Sequence, residues 1–234
     1  MTDKADLCVL ISAGAEWRAL LPHYPAIKVE RSHYGECFQT TIANQRVRFL
    51  HSGWGKIAAA SSTQYAIDRW KPKRIINIGT CGGFKDLISL GQVILVKKTI
   101  VYDIYDRMTD PYQALERYST TLDLSWLPQK PLPQAVQVDK LLSADRDIDP
   151  GDIEALIEKF GAVAADWESG AIAWVAQRNQ IPCLLLRTVS DLVDSETSRA
   201  YGDYAYFENQ CQKIMADFAN FLPDWIAIFQ PGSK

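Results

Sequence analysis

The residues best suited to chemistry in this chain are carboxylates that interrupt apolar runs. Asp166 and Glu168 stand at one end of the stretch VAADWESGAIAWVAQRNQIPCLLLRTVSDLVD, residues 163–194, and Asp191 and Asp194 stand at the other. Almost everything between them is apolar. A carboxylate in such surroundings needs hydrogen-bond or charge partners, or it takes up a proton. Glu16 adds another acid, directly after SAGA at the end of a further apolar run. Two glycine-containing stretches, HSGWGK and GTCGG, also follow apolar runs and offer backbone N–H donors. Taken singly, most of these have a plain explanation. Glu16 suits the positive end of a helix dipole, Asp191 suits a cap, and GTCGG suits a tight turn. Glu168, set among apolar neighbours, is the hardest to dismiss. Together they suit a site for a neutral, hydroxyl-rich or nitrogenous ligand, and the lack of a Lys/Arg cluster speaks against a polyphosphate.

These residues need elements to position them. DLCVLISA, VRFLHSG, RIINIG, QVILVKKTIVY and IPCLLLRTVSD read as strands, and GAVAADWE leads into another site of acids. EWRALLPHY, KIAAASSTQYAIDRW, SGAIAWVAQRNQ and residues 204–221 read as helices. Strands without polar alternation are covered on both faces, and their alternation with helices predicts α/β layers. In open α/β sheets ligands bind beyond the carboxyl ends of the strands, which is where each unusual polar residue falls. Residues 109–139 break the rhythm with four prolines and no clear period, and read as an excursion over the surface or across a subunit boundary.

The totals set limits. The chain has 234 residues, 47% apolar and 23% charged, with a net charge of −3. That suits one globular domain over 1–234. No basic stripe points to nucleic acid, and no apolar run reaches the roughly 20 residues of a membrane helix. No secretory leader is evident, which predicts a cytoplasmic protein. The five scattered cysteines read as reduced, packed thiols, and the three histidines have no metal-ligand spacing.

Five motifs, SGWGKIAAA, NIGTCGGF, SADRDI, ADWESGAIA and RTVSDLVD, occur in an order and spacing that resemble the nucleoside phosphorylase/nucleosidase superfamily. Within it the chain looks most like the 5′-methylthioadenosine/S-adenosylhomocysteine nucleosidases. The likeness spans the chain and is weakest over 108–138. It implies a three-layer α/β/α sandwich with a central mixed sheet, a small-molecule nucleoside substrate, no cofactor or metal, and a homodimer. The implied reaction is hydrolysis of an N-glycosidic bond to adenine. By the resemblance Asp191 is the acid for purine N7, with Ser190 orienting it. Glu16 is the base for water, and Glu168 binds the ribose hydroxyls and favours the cationic sugar. Thr80, Cys81 and Gly82 lie near water and ribose, Asp166 and Trp167 belong to the substrate site, and the Ile148 backbone reads the adenine edge. Tyr201 falls near the 5′ group, where Tyr102, Tyr105 and Tyr204 could extend the wall. Arg187 supports the site from behind.

Departures qualify the likeness. Asp147 stands where many members carry an aromatic that stacks on the base. Trp167 replaces a usual methionine and Trp54 a usual aliphatic residue, with core packing the plain reading for Trp54. Asn77 stands where phosphorylases typically carry an arginine, and SAGAE has no arginine before Glu16, which favours water over phosphate as the nucleophile. A phosphorylase, a nucleoside-binding module without turnover and a futalosine-type hydrolase are the competing readings.

Overall fold

The computed structural model describes residues 4–128 and 131–229. Its elements are β1 (Leu7–Ile11), α1 (Gly14–Leu20), β2 (Glu30–Arg31), β3 (Glu36–Ile42), β4 (Gln45–His51), α2 (Gly55–Trp70), β5 (Arg74–Phe84) and β6 (Val93–Val101). They continue with α3 (Pro111–Arg117), β7 (Ser119–Thr121), β8 (Gln137–Ser143), α4 (Ile153–Phe160), β9 (Ala164–Asp166), α5 (Ser169–Arg178), β10 (Cys183–Val193) and α6 (Tyr204–Ala227).

β1 shows why the apolar runs become buried strands. All five of its residues are buried, and successive side chains enter different layers. Leu7, Val9 and Ile11 join Trp17 of α1 and Ile214, Met215 and Phe218 of α6. Cys8 and Leu10 join Ala66 and Ile67 of α2 and Ile172 and Ala176 of α5. Helices therefore cover both faces, and each buried Val, Leu or Ile contributes about 1.5–3 kcal/mol. The described strands form one mixed sheet. This is the expected arrangement of a mixed sheet between helical layers.

One half of the sheet closes on itself. β5 pairs in parallel with β10, β10 antiparallel with β6, β6 in parallel with β8, β8 in parallel with β9, and β9 antiparallel with β5. β5 takes part in both halves. Arg74 to Asn77 pair with β1, whereas Gly82 and Gly83 pair with β9. Between those pairings the edge of β5 is open, and the functional groups gather there.

The segment 109–139 is more than a surface excursion. It contains α3 and β7, and β7 returns to pair with β6. Farther on, Leu124, Trp126, Leu127, Leu132 and Val136 pack against the core. Prolines erase the local period, but the apolar residues between them still leave water. Gln129 and Lys130 of this segment lie outside the described residues. α6 runs past the expected end, through Pro223 to Ala227. No described helix is long and apolar enough to cross a membrane.

Candidate active site

A cavity of about 650 Å³ opens at the carboxyl ends of β5 and β10. Behind its floor lies Arg187, which is 1% exposed. Its Nη2 is 2.9 Å from Asp166 Oδ2 and 3.8 Å from Glu168 Oε2. The same guanidinium donates to Asn77 Oδ1 at 2.7 Å, to Ser169 Oγ at 2.8 Å and to the Thr80 carbonyl at 3.3 Å. Asn77 in turn donates to the Leu10 carbonyl at 2.9 Å. Asp166 also accepts from Ser143 Oγ at 2.6 Å and from the Ser169 N–H. A buried ion pair is tolerated when its remaining donors and acceptors are filled in this way. Asp166 borders the cavity, yet both its oxygens already serve the protein. Gly79 makes room for the cluster, because a Cβ there would lie 2.1 Å from Arg187 Nη1 and 2.9 Å from Glu16 Oε1.

Glu16 is fixed by the start of α1 and the open edge of β5. Its Oε2 accepts the N–H of Ala13, the residue before the helix, at 3.1 Å. Its Oε1 accepts both the Thr80 N–H at 2.6 Å and Thr80 Oγ1 at 2.7 Å. The bonds that begin the helix therefore also orient the carboxylate.

Glu168 immediately precedes α5 and is 5% exposed. Its Oε1 accepts the Gly55 N–H at 3.0 Å. Gly55 has φ +82°, a conformation that suits glycine, and the loop is held beyond it by Lys56. The Lys56 N–H donates to Asp145 Oδ1 at 2.7 Å, and its ammonium pairs with Asp103. Burial pushes the Glu168 carboxyl up to about 8, against the pull of Arg187.

Asp191 reaches the cavity through an irregularity. Val189 pairs with Cys81 and Asp191 with Gly82, so Ser190 is an extra residue in β10. Such a bulge re-aims side chains, and here two consecutive residues border one cavity. Asp191 Oδ1 accepts from Ser190 Oγ at 2.8 Å, and Oδ2 accepts from Ser198 Oγ at 2.5 Å. Burial raises its pKa; the two hydroxyls oppose that rise and the nearby Asp147 carboxylate adds to it. Asp194, the fourth acid of the opening stretch, does not border the cavity. Lys85 at 2.9 Å and the N–H groups of Thr197 and Glu196 hold it down at about 2.

The cavity brings together Glu16, Glu168, Asp191, Thr80, Cys81, Gly82, Ile148, Asp166, Trp167, Ser190 and Tyr201, the full expected set. Three details differ from expectation. The Ile148 carbonyl accepts the Tyr201 hydroxyl at 2.5 Å, so Tyr201 stands against Ile148. Trp54 is not core: it is 67% exposed and stacks on Trp167 with ring centroids 4.7 Å apart. Tyr204 and Phe207 border the cavity, but Tyr102 and Tyr105 do not. Sequence reasoning missed Ser198, Ser143, Ser169, Lys56 and Phe207. Ser143 ends β8, Ser169 opens α5 and Ser198 follows β10, and single serines and one lysine at a helix start carry no signal before the strands are aligned.

Among the described residues bordering the cavity, Arg146 is the one Lys or Arg, and it pairs with Asp152. Described residues form no His/Cys/Asp/Glu group suited to a metal. All five cysteines are free and buried.

Comparison with known proteins accords with this geometry. The chain is 27% identical over 180 residues to a 5′-methylthioadenosine/S-adenosylhomocysteine nucleosidase of Tolumonas auensis, covering 72% of this chain and 78% of the relative. A protein of the same name from Bacillus anthracis is 27% identical over 178 residues, covering 70% and 75%. The solved Campylobacter jejuni 5′-methylthioadenosine/S-adenosylhomocysteine nucleosidase superposes with a TM-score of 0.77 at 16% identity, covering 95% of this chain and 99% of that one. A Helicobacter pylori futalosine hydrolase mutant gives 0.77 at 17% identity, covering 94% and 97%. These structures establish the fold. The phosphorylase superfamily profile matches residues 6–145 and 148–226, breaking only at Arg146 and Asp147, and the chain belongs to that superfamily.

Proposed function

We propose that the chain hydrolyses the N-glycosidic bond of a purine nucleoside, a 5′-substituted adenosine such as 5′-methylthioadenosine or S-adenosylhomocysteine, releasing adenine. The observation that carries this reading is the cavity wall itself. It presents Glu16, Glu168 and Asp191, and its one cation is already paired with Asp152. Cleavage needs a proton on the leaving base, stabilisation of an oxocarbenium-like sugar, and a base for water. Asp191, whose burial favours the protonated form, supplies the proton to the purine. Glu16, with lone pairs oriented by Ala13 and Thr80, accepts the proton of water. Glu168 holds ribose hydroxyls. The ionised Glu168 carboxylate attracts the positive charge developing on the sugar, and the burial that raises its pKa strengthens that attraction.

The neutral Asn77 supports water over phosphate. Its amide is occupied by Arg187 and Leu10, and the Arg187 guanidinium is held behind the floor by Asp166. The chain acts as one catalytic unit, as a cytoplasmic homodimer. The exposed Ile57 and Met108, 84% and 94% accessible, support an interface between copies.

The test is adenine release from 5′-methylthioadenosine and S-adenosylhomocysteine with and without inorganic phosphate. The expected result is free sugar at a rate that phosphate does not change. Strict phosphate dependence, with a sugar 1-phosphate as product, makes the chain a phosphorylase. Tight nucleoside binding without turnover makes it a binding module.

A further inference from the structure

The loop that presents the Gly55 N–H to Glu168 is built from pliable backbone. Gly53 and Gly55 have φ +85° and +82°, so the chain on either side of Trp54 has the freedom that glycine brings. Trp54, the residue before α2, gives the helix no side-chain cap. The first N–H groups of a helix lack partners within it. Two carboxylates from elsewhere in the chain take them. Glu168 Oε1 accepts from Gly55 at 3.0 Å, and Asp145 Oδ1 accepts from Lys56 at 2.7 Å. The Lys56 side chain works against the helix, because a cation in the first turn opposes the dipole. It is only 19% exposed; its ammonium pairs with Asp103, just beyond β6, and lies 3.6 Å from Asp145 Oδ2. Asp103 Oδ2 also accepts the Asp145 N–H at 3.0 Å. One ammonium thus ties the start of α2 to the ends of β6 and β8. An ion pair so nearly enclosed is screened less than one on the open surface.

We infer that Lys56 is a positioning residue: with Asp103 and Asp145 it keeps the Gly55 N–H on Glu168, the carboxylate assigned to the ribose. This rests on the nucleosidase reading and deepens it. Lys56 does not border the cavity and acts through Glu168. Among the described residues, the other charged groups facing that carboxyl are Arg187 from β10, Asp166 from β9 and Glu16 from α1, and none of them belongs to the tie. The hydrogen bond from Gly55 favours ionised Glu168, the form that attracts a cationic sugar. Loosening the tie therefore raises the pH at which Glu168 ionises.

The experiment titrates Glu168 by NMR of chain labelled with heavy carbon at the glutamate carboxyls, its signal identified by its absence in Glu168→Gln. In Lys56→Met the midpoint is expected to rise by about one pH unit, and kcat/KM for 5′-methylthioadenosine near neutral pH to fall about tenfold. Lys56→Arg, which keeps the charge, is expected to retain the wild-type midpoint and most of the activity. Asp103→Asn separates position from charge, and carries the test alone should Lys56→Met not fold. Acting only as charges, Lys56 lowers the midpoint and Asp103 raises it, so removing them shifts it in opposite directions. A loosened tie raises it in both variants. A midpoint that stays put in either variant, or that falls in Asp103→Asn, overturns the inference and leaves the nucleosidase reading in place. A wild-type chain that releases no adenine overturns that reading and the inference with it.

Discussion

The two ends of the cavity are built differently. Around Glu16 and Glu168 each acid is held by backbone N–H groups, those of Ala13 and Thr80 for one, with the Thr80 hydroxyl beside them, and that of Gly55 for the other, with the buried Arg187–Asp166 pair behind. Around Asp191 the partners are hydroxyls, two serines on the acid and a tyrosine on the neighbouring Ile148 carbonyl. Backbone donors cannot rotate away, whereas hydroxyls can donate or accept and can turn. The first end suits a task that is the same for every nucleoside, activating water and stabilising a cationic sugar. The second suits a proton that must be held, given up and regained, and a base edge that can vary. The gap in the family match at Arg146 and Asp147 falls at this adaptable end.

Glu16→Gln breaks the rigid end most severely. One amide face would present N–H groups either to the Ala13 N–H or to the Thr80 donors, and the variant has no base for water. Turnover should fall by about 10²–10⁴-fold while nucleoside binding by calorimetry persists. Near-wild-type turnover removes Glu16 from the mechanism.

Asp191→Asn tests the adaptable end. An amide can still meet purine N7 but carries no proton to transfer, so adenine nucleosides should lose about 10²–10³-fold in kcat. A nitrophenyl riboside, whose leaving group needs no proton, should lose much less. Equal losses on both substrates contradict the acid assignment.

The acids at strand and helix ends, the glycine loop of HSGWGK and the flanking helices were legible in the sequence because apolar runs and glycines mark where strands stop; GTCGG is the exception, since it is no loop and β5 runs through it from Arg74 to Phe84, paired with β10 and β9. Arg187 was legible only as support, since nothing local says that Asn77, Ser169 and Asp166 converge on it. The Ser190 bulge was hidden, because period-two alternation assumes unbroken pairing, and it explains how adjacent Ser190 and Asp191 border one cavity. Ring closure of β5 with β9 and the packing of the proline-rich segment depend on long-range contacts that no window of sequence contains. Trp54 looked like core because its chemistry is apolar; its exposure follows from standing on the loop before α2.

The rigid end also predicts a pH effect on stability. Glu168 ionises near its ordinary 4.5 in the unfolded chain and near 8 when folded. Between those values the folded state holds more of the proton, so this group's contribution to stability is full below 4.5 and is lost as pH rises through 8. Glu168→Gln should therefore gain on the wild type in thermal melts as pH is raised from 5 to 9. A constant difference across that range places the proton elsewhere.

The smallest effect is expected from Tyr201→Phe, which frees the Ile148 carbonyl. KM for adenine nucleosides should fall about two- to tenfold, the worth of one hydrogen bond, with kcat little changed. A rise in KM instead means that the Tyr201 hydroxyl holds the ligand directly.

The central claim is that water, activated by Glu16 at the rigid end, attacks the sugar while Asp191 releases the base. It is tested most directly by cleaving 5′-methylthioadenosine in phosphate-free water enriched in heavy oxygen. The sugar is analysed by mass spectrometry under single-turnover conditions, with authentic methylthioribose as the control for exchange. The account predicts one heavy oxygen in the released sugar above that control, and loss of product formation in Glu16→Gln. A sugar formed only when phosphate is supplied, and then carrying that phosphate at the anomeric carbon, contradicts it.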